Sequence, residues 1–301
     1  MGILETERIN HQLNLIEIDC VDTISPKDFK INYLKKGKPL IIKDYASKWP
    51  ALKNWNIDFF EKTYGHIPAK MHGKWQNNNF SAIEMSYAKE APFAEFLNMI
   101  KNNETEAYKL FLFDLIQKAP ELREDFNFPP LTLHYLKRHP LLFFGLAGSD
   151  VRLHFDIDIS NIFLTQFLGT KRITLFDKSQ SAYLYKVPFT THSAADLSKI
   201  DFEKFPALQY AKGYKCDLKP TETLFMPSGM WHHMEYLDSS FSLSLRALST
   251  DLNEITKGVF NFLILRYFDR TMHRIADKHW TAYKLNQTFK NAEKQLLKYG
   301  F

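Results

Sequence analysis

Between Ser240 and Arg246 the chain alternates without a break: Phe241, Leu243 and Leu245 fall on one face, Ser240, Ser242, Ser244 and Arg246 on the other. A period of two is the mark of a β-strand. One face here is continuous hydrocarbon and the other is mostly small hydroxyls, so the strand pairs a packed side with a roomy polar side, as a barrel strand does. The surrounding sequence repeats the theme. From about residue 141 to 248, short β-prone runs follow one another between Gly, Pro and Ser turns, at 141–145, 162–168, 171–176, 221–226 and 231–237. Gly169-Thr170 separates two of them, and a two-residue connection opening on glycine predicts a type II′ hairpin.

The flanks read differently. Ser25-Pro26 is an N-cap and first-turn pair that opens a helix ending near Gly37. A short buried strand is expected at 39–43, helices at 57–64 (stopped by Gly65) and 92–101, and a strand at 108–113. Beyond residue 250 the period changes to helical. Asp251 and Glu254 have the spacing of a capping box, Leu252, Ile255, Val259, Phe262, Leu263 and Phe268 recur at helical intervals, and a second helix is expected over 274–298. The expected organisation is one continuous globular unit, with an N-terminal α/β segment (1–140), a β-rich core (141–249) and C-terminal helices (250–301).

Composition excludes several classes. The net charge of +5 is spread thinly, without the dense basic stripe of a nucleic-acid binder. Cys20 and Cys216 are far apart and form no CxxC, which argues against a disulfide framework and a thiolate metal site. No run approaches the roughly 18 apolar residues that span a membrane, and the charged N-terminus has no apolar signal core, so a cytoplasmic protein is expected.

The chemistry-bearing residues lie in the β-rich core. In His154-Phe155-Asp156 an imidazole and a carboxylate two residues apart on a strand point to the same side. His232 and His233 follow the Pro227-Ser228-Gly229 turn much later in the chain, and alternation lets only one of them face inward. Two histidines and one carboxylate form the facial triad of non-haem Fe(II) oxygenases, which leaves other positions open. A lone HxD in a chain with 11 His is a common accident; its context among the strands gives it weight. Lys171 lies between the two parts, beside apolar Ile173 and Leu175. It is either a solvated turn residue or a buried cation that needs a counter-ion, such as the far carboxylate of a metal-chelating dicarboxylic acid.

Three stretches together, 153–156, 166–176 and 225–232, resemble the JmjC and cupin-like hydroxylases. The similar branch includes the asparaginyl hydroxylase of hypoxia-inducible factor and bacterial cupin-like proteins. The resemblance extends upstream through Pro39-Leu40-Ile41-Ile42-Lys43 and Trp49-Pro50-Ala51 and covers roughly residues 25–248. It implies a mainly β double-stranded β-helix, the cupin or jelly-roll barrel. It implies an Fe(II)- and 2-oxoglutarate-dependent dioxygenase that uses O2 to hydroxylate a C–H bond. It assigns His154, Asp156 and His232, the histidine directly after the tryptophan, to iron, and Lys171 to 2-oxoglutarate.

The sequence departs from the pattern where relatives often carry Ser or Thr three residues before the first ligand, here Val151. Asn161 has the wrong parity to serve as the usual inward asparagine, and the segment from Asp156 to Lys171 is slightly long. Thr165, Gln166 and Arg246 are the candidates to make the missing cosubstrate contacts, each with an ordinary strand role as its alternative. The resemblance also suggests a protein or peptide substrate and a homodimer through the C-terminal helices. Three other readings stay open: a non-oxygenase metal cupin that has no need of Lys171, a binding module with a relic site, and an oxygenase acting on tRNA or a small molecule.

Overall fold

The computed structural model describes residues 12–73, 87–131, 134–249 and 251–299; the charged N-terminal stretch lies outside them. The strands are β1 (Asn14–Glu17), β2 (Asp19–Val21), β3 (Leu40–Ile42), β4 (Pro68–His72), β5 (Lys89–Pro92), β6 (Lys109–Phe113), β7 (Leu141–Gly145), β8 (Asp150–His154), β9 (Asn161–Leu168), β10 (Lys171–Phe176), β11 (Lys212–Leu218), β12 (Thr223–Met226), β13 (Trp231–Tyr236) and β14 (Ser240–Ala247). They form a five-stranded sheet in the order β1-β11-β10-β13-β8 and a nine-stranded sheet in the order β2-β3-β12-β9-β14-β7-β6-β4-β5. The inner faces meet through Ile162, Leu164, Leu224 and Met226 of the larger sheet and Ile173, Leu175 and Leu218 of the smaller. This is the expected jelly-roll barrel. The N-terminal strands extend its sheets: β6 pairs with β7, and β3 with β12.

The alternation of β14 is resolved as a division between outside and inside. Phe241, Leu243 and Leu245 point outward into a core with Phe60, Phe93 and Phe96 of the helices Ile57–Tyr64 and Phe93–Lys101. Phe241 meets Phe60 edge-on at 5.4 Å and stacks on Phe167 at 5.5 Å. Rings of this size supply about 1.5–3 kcal/mol each on burial, which fastens the N-terminal helices to the sheet. The serines and Arg246 are left for the interior. A third core, with Phe176, Tyr185, Phe205, Trp231 and Ala292, joins the outer face of the smaller sheet to the 177–211 segment and the last helix.

Several expectations need correction. Gly169 does take a left-handed φ of 64°, but the Gly169-Thr170 connection is no hairpin. It carries the chain from β9 in one sheet to β10 in the other. The turn packs on the β13–β14 connection, where the Leu237 amide donates to the Thr170 carbonyl at 3.1 Å. A positive-φ glycine suits a hairpin and a sheet crossing alike, and only the pairing partners distinguish them. The helix opened by Ser25 is α-helical over Pro26–Phe29 and widens to a π-helical turn at Lys30–Leu34. The expected capping box does not form: Asp251 caps the helix by accepting from the Asn253 amide, while Glu254 bonds to Lys178, Ser228 and Ser249 instead of reaching back to the Asp251 amide. The last helix spans Arg266–Leu296 and bends sharply at Ala276. Asp269 before the bend accepts from Trp280 and Lys284 beyond it, each at 2.8 Å.

Candidate metal centre

Two neighbouring strands and the loop after one of them bring three donors together. His154 ends β8 and lies directly opposite His232 on β13, and Asp156 follows within two residues. The ligand atoms of His154, Asp156 and His232 lie within 4.8 Å of one another. Asp156 Oδ1 is 3.7 Å from His154 Nε2 and 4.0 Å from His232 Nε2. Each Nδ1 is engaged by a main-chain carbonyl two residues earlier, Arg152 at 2.8 Å for His154 and Met230 at 3.2 Å for His232. A carbonyl can only accept, so each Nδ1 carries the proton and each Nε2 presents its lone pair. His233 is turned to the other side of the strand and is buried there.

The protonation states suit a cation. Burial pushes both imidazoles below their ordinary value, most strongly for His154, where His232 adds to the effect. Burial alone would raise the Asp156 carboxyl, but Arg246, His232 and His154 outweigh it and hold it below the usual carboxylate range. Neutral imidazoles beside an ionised carboxylate are what a divalent ion requires. The donor set therefore fits a borderline transition metal, with two nitrogens and one oxygen on one side.

Farther along the interior, Lys171 is 1% exposed. Its ammonium donates to Ser242 Oγ at 2.6 Å and lies 4.4 Å from the centre of the Tyr236 ring. Among the described residues no carboxylate pairs with it, and burial pushes its pKa down to about 7. Gly145 makes room for the tyrosine, since a Cβ there would fall 2.2 Å from Tyr236 Cε1. The remaining sequence candidates divide. Gln166 lies opposite Ser242 and so shares the face of Lys171, with its amide nitrogen bonded to the Leu168 and Gly169 carbonyls. Thr165 is not brought to the pocket. It has the parity of outward-facing Phe163, and its hydroxyl is bonded to Thr223 at 2.8 Å. Arg246 reaches the triad rather than the lysine, through Asp156 Oδ2 at 2.9 Å. Asn161 faces away, bonded to the Ser228 amide and the Leu248 carbonyl.

Sequence reasoning missed three neighbours of the site. Tyr236 was within reach, because it shares parity with His232. Asp158, which binds Arg246 through both oxygens at 3.0 Å, lies two residues past Asp156 in a loop whose path the pattern does not define. His192 stacks on His154 with ring centres 5.6 Å apart, and it comes from the irregular 177–211 segment, where no periodicity points to it.

Residues 26–270 match the Cupin-like domain family. This chain is a member of that family. Lysine-specific demethylase 8 of Xenopus tropicalis is 28% identical over 232 residues, covering 73% of this chain and 50% of that protein. JmjC domain-containing protein F of Dictyostelium discoideum is 29% identical over 277 residues, covering 72% and 58%. tRNA wybutosine-synthesizing protein 5 of Gallus gallus is 24% identical over 250 residues, 76% of each chain. The chain thus spans about half the length of the first two relatives. The cupin-like family and its JmjC-named relatives agree with the resemblance carried by the motifs. No helix among the described residues is long and apolar enough to cross a membrane.

Proposed function

We propose that this cupin-like protein is an Fe(II)- and 2-oxoglutarate-dependent oxygenase that hydroxylates a C–H bond, with His154, Asp156 and His232 as the iron ligands and Lys171 as the partner of the cosubstrate's far carboxylate. The observation that carries the reading is the buried ammonium of Lys171, without a carboxylate partner among the described residues, on the same barrel wall as the triad. Lys171 is in register with Tyr236, four residues along β13 from His232. At the strand rise this is ~13 Å between backbones, a gap suited to a lysine side chain and a short dicarboxylate laid end to end. A plain metal cupin would have no use for such a lysine.

Bound iron, with 2-oxoglutarate and O2 as co-reactants, would supply the oxidising chemistry for C–H hydroxylation, with succinate and CO2 as the co-products. The chain's own contribution is placement. The two imidazoles and Asp156 would hold the metal through three donors that converge from neighbouring strands and the loop after β8. Lys171 neutralises the distal carboxylate, Ser242 and Tyr236 fix the ammonium, and the hydrocarbon of Ile162, Leu164, Ile173 and Leu175 keeps bulk water out.

A protein or peptide side chain is the substrate class we favour, by analogy with the demethylase-named relative. The tRNA-modifying relative, matched over 76% of both chains, supports nucleic acid as the second reading. We further propose a homodimer through the C-terminal helices, because the helix Leu252–Phe260 turns Glu254 and Gly258 inward and Leu252, Val259 and Phe260 to solvent.

The oxygenase reading is tested without knowing the substrate. Anaerobic protein titrated with Fe(II) and 2-oxoglutarate should develop the visible charge-transfer band of a chelated keto acid. The band should vanish in Asp156→Ala and weaken in Lys171→Ala. Metal binding without a band would favour a non-oxygenase cupin, and absence of metal binding would leave a relic site.

A further inference from the structure

Arg246 does something to the triad that the ligand set alone does not account for. Its guanidinium lies against the one carboxylate that faces the metal position, and a fixed positive charge there works against a cation. A chain that binds a metal at this point has reason to keep such a charge only if it improves the site in another way.

The two oxygens of Asp156 are divided between two tasks. Oδ1 faces His154 Nε2 at 3.7 Å and His232 Nε2 at 4.0 Å, and Oδ2, a buried oxygen without a hydrogen-bond partner among the described residues, is ion-paired with Arg246 Nη2 at 2.9 Å, outside hydrogen-bond alignment. The guanidinium is itself held, because Nη1 bonds both oxygens of Asp158 at 3.0 Å. Asp158 is braced from outside: Gly258 of the helix Leu252–Phe260 approaches its carbonyl so closely that a Cβ would fall 2.7 Å from that oxygen. Arg246 is anchored on β14 opposite Ile162, at the triad end of the barrel, with its side chain 13% exposed. Asp158, Arg246 and Asp156 therefore form a chain that starts at the C-terminal helix and ends on a single carboxylate oxygen.

We infer that Arg246 is a positioning residue: by occupying Oδ2 it presents Asp156 to the metal through Oδ1 alone, and Asp158 holds Arg246 in place to do so. The inference rests on the metal reading of the triad and adds a control on how the carboxylate binds. A carboxylate free to turn can bind a cation through both oxygens, which would take one of the open positions that a cosubstrate needs. The same pairing keeps Asp158 from joining the metal as a second carboxylate. With two carboxylates set against one guanidinium, the cluster retains negative charge for the cation.

The sign of one measurement separates this role from simple electrostatics. Metal-free protein is titrated anaerobically with Co(II), with affinity read by calorimetry and coordination by the visible d–d bands. Arg246→Met, Arg246→Lys and Asp158→Asn are compared with wild type, and thermal melts of the metal-free proteins check folding. Loss of a nearby positive charge by itself would tighten cobalt binding. Loss of a positioning group should weaken it about 10- to 100-fold, with altered d–d bands. Asp158→Asn should weaken it in the same direction by less, and Arg246→Lys, which keeps the charge and one donor, should recover much of the loss. Unchanged or tighter cobalt binding in folded Arg246→Met overturns the inference. Should that variant fail to fold, wild-type affinity and bands in folded Asp158→Asn overturn it equally. A wild-type protein that binds no cobalt overturns the metal reading itself, a different result from a wild type and variants that bind alike.

Discussion

A lysine ammonium sealed inside a barrel gives up its hydration, and Lys171 carries the consequence as a pKa of about 7. The unfolded chain holds that proton up to a pH near 10.4. Between about pH 7 and pH 10 the unfolded state therefore binds more protons, and the metal-free protein gains stability as pH rises. Urea titrations across that window should show the trend, and Lys171→Met, an apolar replacement of similar length, should flatten it. A dicarboxylate reverses the balance by giving the ammonium a partner. Binding of 2-oxoglutarate at about pH 8 should take up close to one proton, read by calorimetry in buffers of different ionisation enthalpy, and should weaken as pH rises. Lys171→Met should lose ~2–5 kcal/mol of that binding while folding normally. Binding without proton uptake would mean that the carboxylate goes elsewhere.

At the scale of elements, two glycines hold the barrel's shape for reasons that differ. Gly169 has a left-handed φ, and a Cβ there would meet the Ser239 carbonyl at 2.5 Å; it sets the crossing between sheets. Gly145 on β7 is a matter of space, since the Tyr236 ring occupies the place of its missing side chain. Gly169→Ala should cost more than ~1 kcal/mol, read as a lower urea midpoint, with little effect on cobalt affinity. Gly145→Ala should cost about 1–3 kcal/mol through overpacking and should also weaken 2-oxoglutarate binding, because the displaced ring is the one beside Lys171. If Gly145→Ala bound 2-oxoglutarate as wild type does, Tyr236 would have no part in shaping the pocket.

At the scale of the molecule, the C-terminal helices face both ways. Glu254 ties them inward to Ser228, in the turn before His232, and Gly258 rests on the loop after Asp156. Outward they carry Leu252, Val259, Phe260, Leu263, Ile264 and Phe268, a concentration of apolar surface that monomeric proteins seldom leave uncovered. Light scattering on the full chain should give a dimer mass. Leu263→Glu combined with Ile264→Glu should give a monomer that still binds cobalt. A monomer mass for the unaltered chain would count against the interface.

Much of the fold was legible because periodicity is a local property. The alternation of Ser240 to Arg246 determined which residues of β14 share a face, and the parity of His232 against His233 determined which histidine could meet His154; Asp156 lies past the end of β8, so the loop and not strand parity brings it to the site. Gly169 determined a turn, and Lys171 a cation in apolar company. Tertiary structure decided the rest, because each remaining question concerns partners distant in sequence. Strand pairing turned a predicted hairpin into a crossing between sheets. The stacking of two sheets decided that the polar face of β14 lies inside, that Thr165 spends its hydroxyl on Thr223, and that Arg246 reaches the triad. A sequence fixes the side of a strand on which a residue stands; which side becomes the interior depends on what packs against each face, and that is known only once the chain has closed on itself.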